Sequence, residues 1–557
     1  MAIQKNRKLI YTSIIILSVL LLMVDRYYWA QISQWREDQA TNIWLGYTSG
    51  LGNMPVGLMS SKGIPNPNGM VLLGSILSIL PNLLSVSFFL GVSQIILLVL
   101  IGWNSFRRDR KYFLLATLPL LSSVILRSSS VEYWNQYTIT LVNVFFIYWV
   151  IRYLEKPSLW NLPPITILIL VAPSLYLAGI ANAIVMLVLT VIILLYKRPE
   201  LKGFFPVLAI VVGIIVLSIY LTWYPYFQNV GLVQIIDYKK TRLGLIGTFQ
   251  IFWTAIWSLP NYATFQWADY TIFDLTFKHA SPQLLSPASN LMLKLMGRVY
   301  LLQAVFAFTV FTSMLVVAFW NLTSKKDVDI KINIPALRLV ILSILFIGLS
   351  YGVSNWLNGP AWIDGERPDQ TVQFLPMFLL IIFLLPPTVS MGGRAGRVIN
   401  WISYLSLTVF STINILCGVL IIRDHLNYRG NVLTEADVPL IQKMQALDFI
   451  ATDWKKHSDS DVIPVDYDLG GGVWDWVSEF GVQLLKWYPA PMTEGRSFDY
   501  ELLRRYGLKN QQEGIQIRSF DNARYLVTYA FEDPPQSNNT KINHYIFGRL
   551  RVSVMEK

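Results

Sequence analysis

Two adjacent carboxylates, Glu37 and Asp38, lie in a short polar stretch after the first long apolar run of the chain. Arg36 precedes them, and tyrosines and tryptophans crowd the N-terminal side of the stretch. A carboxylate at a boundary between lipid and water can accept a proton from a hydroxyl nucleophile or bind a metal ion. The alternative is a solvated pair that interacts only with Arg36. The sequence therefore marks this stretch as a candidate catalytic site and leaves a purely structural pair open.

A second polar segment, 127–136, contains a single acidic residue, Glu132. In that place a carboxylate can orient a substrate hydroxyl or a metal ion. The structural alternative is an ion pair with Arg127, the arginine that opens the segment.

Two further polar segments carry cations that suit a phosphate. Lys239, Lys240 and Arg242 lie close together within residues 224–297, and Arg367 lies within residues 355–370. A guanidinium binds phosphate with two parallel hydrogen bonds, which makes Arg367 the strongest phosphate candidate in its segment. The alternatives are attraction of the lysines to anionic lipid headgroups and a solvated loop around Arg367.

The composition is that of a membrane protein. Hydrophobic residues make up 54% of the 557-residue chain and charged residues 14%, against about 25% in soluble domains. Apolar runs of about 16 to 25 residues recur, which predicts a polytopic α-helical membrane protein. The net charge of +11 comes from short Lys/Arg clusters between these runs. This is the positive-inside pattern, so the charge indicates topology and not nucleic-acid binding. The single cysteine excludes an intramolecular disulfide.

Loop charge predicts about eleven transmembrane helices, with the N-terminus in the cytoplasm and the C-terminus outside. The apolar stretch 70–103 is too long for one span. Because the basic loop 104–111 is best placed in the cytoplasm, residues 70–80 are predicted to form a juxtamembrane helix on the outer surface. The predicted spans are 9–24, 82–103, 112–126, 137–153, 164–180, 181–196, 204–223, 299–320, 334–354, 371–389 and 399–422.

Residues 423–557 are polar and contain no long apolar run. We expect a small soluble α+β domain on the extracytoplasmic side, beside a membrane domain of residues 1–422. Its predicted elements are a helix over 446–456 and strands over 462–466, 523–529 and 544–554.

The order of these parts resembles the GT-C glycosyltransferases, in particular the branch of protein O-mannosyltransferases and the lipid A aminoarabinose transferase. Asp38-Gln39-Ala40 stands where that branch has Asp-Glu-Ala, with Glu37 beside it. The turn 65–69 replaces a Pro-Pro turn, and Glu132 occupies the place of the second-loop acid. The segment 366–376 is similar to an arginine-containing lead-in to a late helix. Lys62 is the candidate for the basic residue that some members place near the turn.

The resemblance implies transfer of a sugar from a polyprenyl phosphate to an acceptor hydroxyl, with inversion at the anomeric carbon. Asp38 would be the general base, supported by Glu37 and Glu132. Donor phosphate would be held by cations of the outer segments, namely Arg367, Lys239, Lys240, Arg242 and Lys62. A divalent cation, Mg²⁺ or Mn²⁺, would be optional. The acceptor would be a lipid, a glycan or a protein, and the enzyme would lie in a bacterial inner or plasma membrane.

Other functions stay open at this point. A glycan ligase or polymerase would take its donor from undecaprenyl pyrophosphate, and a flippase would move a lipid or saccharide without chemistry. The predicted spans are almost free of ionisable residues, which argues against an ion-coupled carrier. The sequence also has no P-loop, no G-x-S-x-G and no H-E-x-x-H motif.

Overall fold

The computed structural model describes residues 2–35, 37–49, 56–57, 65–106, 109–177, 179–230, 285–324, 330–358, 372–391, 393–429, 438–469, 496–511, 523–534 and 541–556. Most of them are helical. The helices of the N-terminal part are α1 (Ala2–Gln31), α2 (Glu37–Ser49), α3 (Gly69–Leu77), α4 (Leu83–Phe106), α5 (Arg110–Ser122), α6 (Val124–Ser130), α7 (Asn135–Glu155), α8 (Leu162–Leu175), α9 (Gly179–Tyr196), α10 (Phe204–Ser218) and α11 (Tyr224–Val230). The later helices are α12 (Pro287–Ser324), α13 (Ile334–Asn358), α14 (Leu375–Thr388), α15 (Gly393–Asn427), α16 (Leu440–His457) and α17 (Arg496–Tyr506).

Several of these helices are compatible with a membrane protein. Within the described residues, seven are long and apolar enough to cross a membrane, or up to eight if α5 and α6 form one bent span. Each predicted span is mostly helical. The helices in the other predicted spans are too short or not apolar enough to count as membrane-crossing among the described residues. The count of about eleven spans and the orientation of the termini therefore stay predictions.

Helix α14 lies at the centre of the bundle. All fourteen of its residues are buried, and it packs against α5, α12, α13 and α15. A helix of this length that is apolar on every side is typical of a protein core.

Helix α5 bends into α6 by 63° at Ser123. The hydroxyl of Ser123 accepts the N–H of Leu126 at 3.4 Å, which caps the new helix after the break. Residues Val124–Ser130 are all buried. The predicted loop over 127–136 is therefore wrong in its first part, because the cap at Ser123 lets the helix continue to Ser130.

The segment between the first two long helices also holds more helix than predicted. Helix α1 continues to Gln31, and α2 starts at Glu37, where the sequence analysis expected a loop. The predicted break before the second long helix is present, since α3 ends at Leu77 and α4 begins at Leu83.

Residues from 438 onward form a small α+β unit, which agrees with the predicted fold of the C-terminal part. Its sheet contains β4 (Val465–Asp468), β6 (Tyr525–Tyr529), β7 (Lys541–Phe547) and β8 (Leu550–Glu556) in the order β4-β6-β8-β7. Two shorter strands of this unit, β3 (Val462–Ile463) and β5 (Lys509–Asn510), pair in parallel. Two short strands outside it, β1 (Ile330–Ile332) and β2 (Val389–Met391), pair antiparallel. Helix α16 extends the predicted helix at both ends.

One predicted strand of this unit is wrong. The alternating pattern predicts one continuous strand over 544–554, but the chain turns at Gly548 and forms the antiparallel hairpin β7–β8. Gly548 has φ +64°, a left-handed conformation that glycine adopts without steric cost. The proposed division at residue 422 stays a prediction, and α15 continues beyond it to Asn427.

Candidate functional site

Glu132 lies against the chain just before the acidic pair. Both of its carboxylate oxygens accept the backbone N–H of Gln34, at 3.0 and 3.1 Å. Glu132 is 7% exposed and Gln34 is 4% exposed. The second acidic segment is thereby joined to the first, although 98 positions separate the two residues in the chain.

Trp35 fixes the same stretch from the side. Its indole N–H donates to the hydroxyl of Ser87 on α4 at 3.0 Å, and its ring stacks on Tyr133 with 5.6 Å between centroids. The hydroxyl of Tyr133 donates to the carbonyl of Met70 on α3. Burial raises the pKa of Tyr133 well above its ordinary value, so the hydroxyl keeps the proton it donates. Residues 132–133 therefore tie the start of α2 to α3.

Helices α2 and α3 cross at two glycines. A Cβ added to Gly46 on α2 would collide with the backbone of Val71 and Ser75. A Cβ added to Gly74 on α3 would lie 2.9 Å from the carbonyl oxygen of Asn42. The two backbones approach this closely only because neither position carries a side chain. The crossing fixes the direction in which α2 leaves the acidic pair.

The Pro/Asn/Gly turn is a turn in the structure, and it leads directly into α3. Asn66 accepts the N–H of Leu177 at 3.0 Å, and Asn68 donates to the carbonyl of Leu221 at 2.9 Å. The carbonyl of Pro65 accepts the Tyr226 hydroxyl at 2.9 Å. These bonds attach the turn to a residue after α8, to the segment between α10 and α11, and to α11 itself.

Glu37 and Asp38 are the first two residues of α2. The structure describes their place in the helix but not their side chains. The predicted phosphate ligands, Arg367, Lys239, Lys240, Arg242 and Lys62, lie outside the described residues. The structure thus brings Glu132 to the stretch that precedes Glu37 and Asp38, and it leaves the predicted cation positions untested.

A buried charge cluster, which the sequence analysis missed, lies near this stretch. Arg127 donates to Asp25 at 2.6 Å and to the carbonyl of Asn414 at 2.6 Å. Arg26 donates to the other oxygen of Asp25 at 2.7 Å. Arg26 is 0% and Arg127 2% exposed. Two guanidinium groups therefore share the carboxylate of Asp25. Arg127 connects α6 to α1 through Asp25 and to α15 through the carbonyl of Asn414, in each case by a charge-assisted bond.

A second missed residue comes from the C-terminal unit. Lys443 on α16 donates from Nζ to the carbonyl of Trp35 at 2.7 Å. Its side chain is 1% exposed, and its ammonium lies 5.9 Å from the centre of the Phe498 ring. Sequence gave no signal for this contact, because 408 positions separate the two residues. The peptide groups of residues 34 and 35 are therefore held by Glu132 on one side and by Lys443 on the other.

Metal ligation is not evident in the part of the chain that the structure describes. It contains no group of three or more His, Cys, Asp or Glu residues able to hold one ion. The side chains of Glu37 and Asp38 are not among the described ones.

Comparison with protein-family models, with curated proteins and with solved structures finds no match to the chain. Support for a function therefore comes from the residues of the chain and from the geometry of the candidate site.

Proposed function

We propose that the chain is an inverting glycosyltransferase of the GT-C type that transfers a sugar from a polyprenyl phosphate to an acceptor hydroxyl. One observation supports this proposal above the others. The acid of the second polar segment, Glu132, binds the backbone of Gln34, three residues before Glu37. A catalytic site assembled from two acidic segments needs that proximity, whereas two independent surface loops do not.

In the proposed reaction the acceptor oxygen attacks the anomeric carbon, and the bond from that carbon to the phosphate oxygen breaks. The electron pair of the broken bond leaves with the polyprenyl phosphate. Asp38 takes the proton of the attacking hydroxyl, which completes the balance. Arg367 and the cations at 239, 240 and 242 would stabilise the charge of the departing phosphate.

The place of Asp38 suits a base. A helix N-terminus carries partial positive charge from its unpaired N–H groups, and this favours an ionised carboxylate in the first turn. Asp38 is the second residue of α2. Only the ionised form of a carboxylate can accept the proton of the acceptor hydroxyl.

Glu132 would support the base through the backbone. Its bonds to Gln34 fix the chain four residues before Asp38. Because hydroxyl, base and anomeric carbon must align within a few tenths of an ångström, fixing the start of α2 contributes to the rate.

The proposal includes a place in a membrane. The N-terminus would be cytoplasmic, and the C-terminal unit would lie on the opposite side with the acidic pair. The contact of Lys443 with Trp35 supports this common side, since it joins the C-terminal unit to the segment that follows α1.

Release of free polyprenyl phosphate in detergent micelles tests the proposed class. Detergent micelles do not separate two aqueous compartments, and a flippase breaks no bond. A flippase therefore releases no polyprenyl phosphate in this assay. Purified full-length protein is incubated with polyprenyl-phosphate sugars, and separately with an undecaprenyl-pyrophosphate glycan, together with lipid, glycan and peptide acceptors. The proposal predicts release from a monophosphate donor with a new glycosidic bond of inverted configuration.

Two results would count against it. Release of undecaprenyl pyrophosphate from the pyrophosphate donor, with no release from any monophosphate donor, would favour a ligase or polymerase. No release from any donor, combined with transfer of a labelled saccharide lipid across a vesicle membrane, would favour a flippase.

A further inference from the structure

The C-terminal unit contacts the candidate site through a buried cation. Lys443 reaches from α16 to the carbonyl of Trp35, and little of its side chain is exposed. Burying a lysine costs free energy unless hydrogen bonds compensate its charge. The bond from Lys443 to Trp35 is therefore a specific contact between the C-terminal unit and the chain just before Arg36 and the acidic pair.

A second contact is made by α17 at the break between α3 and α4. Arg504 donates to the carbonyls of Ser78 and Ile79 at 2.9 and 3.1 Å, just beyond the C-terminus of α3. Glu501 accepts the N–H of Leu83, the first residue of α4. Helix ends leave such groups without intrahelical partners, so a guanidinium can donate to the free carbonyls at the C-terminus and a carboxyl oxygen can accept a free N–H at the N-terminus. One helix of the C-terminal unit thus caps both helix ends.

A third set of contacts lies along α2 itself. The guanidinium of Arg496 lies 5.0 Å from the centre of the Trp44 ring. Tyr500 meets Tyr47 edge to face with 5.8 Å between ring centres. Cation–π and aromatic pairs of this kind contribute beyond the area they bury. Contacts therefore lie just before α2, at Trp35, and along its C-terminal half, at Trp44 and Tyr47.

We infer that the C-terminal unit is a positioning part of the catalytic site. Lys443, Arg496 and Tyr500 contact Trp35 and α2 directly, and Arg504 and Glu501 hold the end of α3, on which α2 packs, and the start of α4. This inference rests on the proposed function for its catalytic meaning. Its structural half, that α16 and α17 hold α2 in place, can be tested without activity.

The test uses full-length protein in lipid nanodiscs and two changes on different helices. Lys443→Met removes the bond to Trp35, and Arg504→Met removes the cap of α3. Lys456→Met is the matched control, since Lys456 lies on α16 as well but is exposed. Lys443→Arg tests rescue by a residue that keeps the charge. Each protein is measured for kcat, for the donor KM and for amide hydrogen exchange over residues 37–49.

We expect Lys443→Met and Arg504→Met to lower kcat by about tenfold or more and to change KM by less than about threefold. This split is expected because misplacing the base affects the transition state more than donor binding. Exchange over residues 37–49 should become faster in both variants and stay at the wild-type rate in Lys456→Met. Lys443→Arg should recover part of kcat.

Wild-type exchange over 37–49 in both variants would overturn the inference, whatever happens to kcat. If the wild-type protein releases no polyprenyl phosphate from any donor, the proposed function fails, and the exchange experiment alone decides whether the C-terminal unit holds α2. A variant that fails to fold is replaced by its partner, since Lys443 and Arg504 act from different helices.

Discussion

Glu132 accepts the backbone N–H of Gln34 through both carboxylate oxygens, at 3.0 and 3.1 Å. The bond joins the second residue after α6 to the connection between α1 and α2. It is buried, so water does not compete strongly for either partner. The stretch that holds Glu37 and Asp38 is therefore positioned by a residue from a distant part of the chain.

Glu132→Gln should lower turnover by about tenfold to a hundredfold, because the amide offers one acceptor oxygen and directs an NH₂ group at the same site. It should also reduce the free energy of unfolding by about 1–3 kcal/mol, the usual cost of losing a charged partner of a buried donor. Polyprenyl phosphate release and thermal unfolding in detergent measure the two effects. Glu200→Gln, at an exposed acid, is the control. Wild-type turnover in Glu132→Gln would remove Glu132 from the site.

Gly418→Ala should destabilise the protein, since its Cβ would collide with the guanidinium of Arg127. The arginine cannot move away without losing its bonds to Asp25 and to Asn414. Gly213→Ala is the matched control, because no atom lies within 4 Å of its added Cβ. The control should unfold at or slightly above the wild-type temperature, since alanine favours helix. Equal unfolding temperatures for the two variants would contradict the described packing around Arg127.

Asp25→Asn should be more damaging than either glycine change. It leaves Arg26 and Arg127 buried without their shared carboxylate, and uncompensated buried charges of this kind cost about 3–5 kcal/mol. The expected result is a large drop in the thermal midpoint or a loss of folded protein on size exclusion. A drop of less than one degree would mean that the cluster contributes little.

Glu501 makes the contact between α17 and α4 sensitive to pH. Burial raises its pKa from 4.5 to about 8, against the opposing effects of the Leu83 N–H and of Arg505, while Asp448 raises it further and Arg504 lowers it. The folded protein therefore binds the proton more tightly than the unfolded chain does. Its contribution to stability is complete below about pH 4.5, decreases as pH rises and is lost above about pH 8.

Glu501→Gln should remove this dependence. Between pH 6 and 9 the wild-type thermal midpoint should fall with pH more steeply than that of the variant. The amide keeps an acceptor for the Leu83 N–H, so the variant should stay folded. Parallel pH profiles would show that Glu501 does not carry the raised pKa.

The sequence was informative where one physical signal dominates. Hydropathy located the long helices, the charge of the loop 104–111 indicated the break before α4, and the polar tail was expected to contain both helix and strand. It failed where local signals compete. Residues 127–130 carry polar side chains yet are helical after the bend at Ser123, and Gly548 divides an alternating pattern that one strand would also satisfy.

The site was predictable only in part. The adjacent carboxylates and Glu132 stood out because each occupies a polar segment between apolar runs. Lys443 and the partners of Asp25 did not, since a contact between residues 408 or 102 positions apart leaves no local pattern. Such contacts follow from packing of whole helices.

Asp38→Asn removes the base that the proposed reaction requires. The substitution keeps the size of the side chain and removes the ability to accept a proton at neutral pH. With a donor that the wild-type protein cleaves, we expect release of polyprenyl phosphate to fall by about a hundredfold or more, with an unchanged thermal midpoint. Asp459→Asn, at an exposed position of the C-terminal unit, should release at the wild-type rate. Release by Asp38→Asn at the wild-type rate would contradict the assignment of Asp38 as the base.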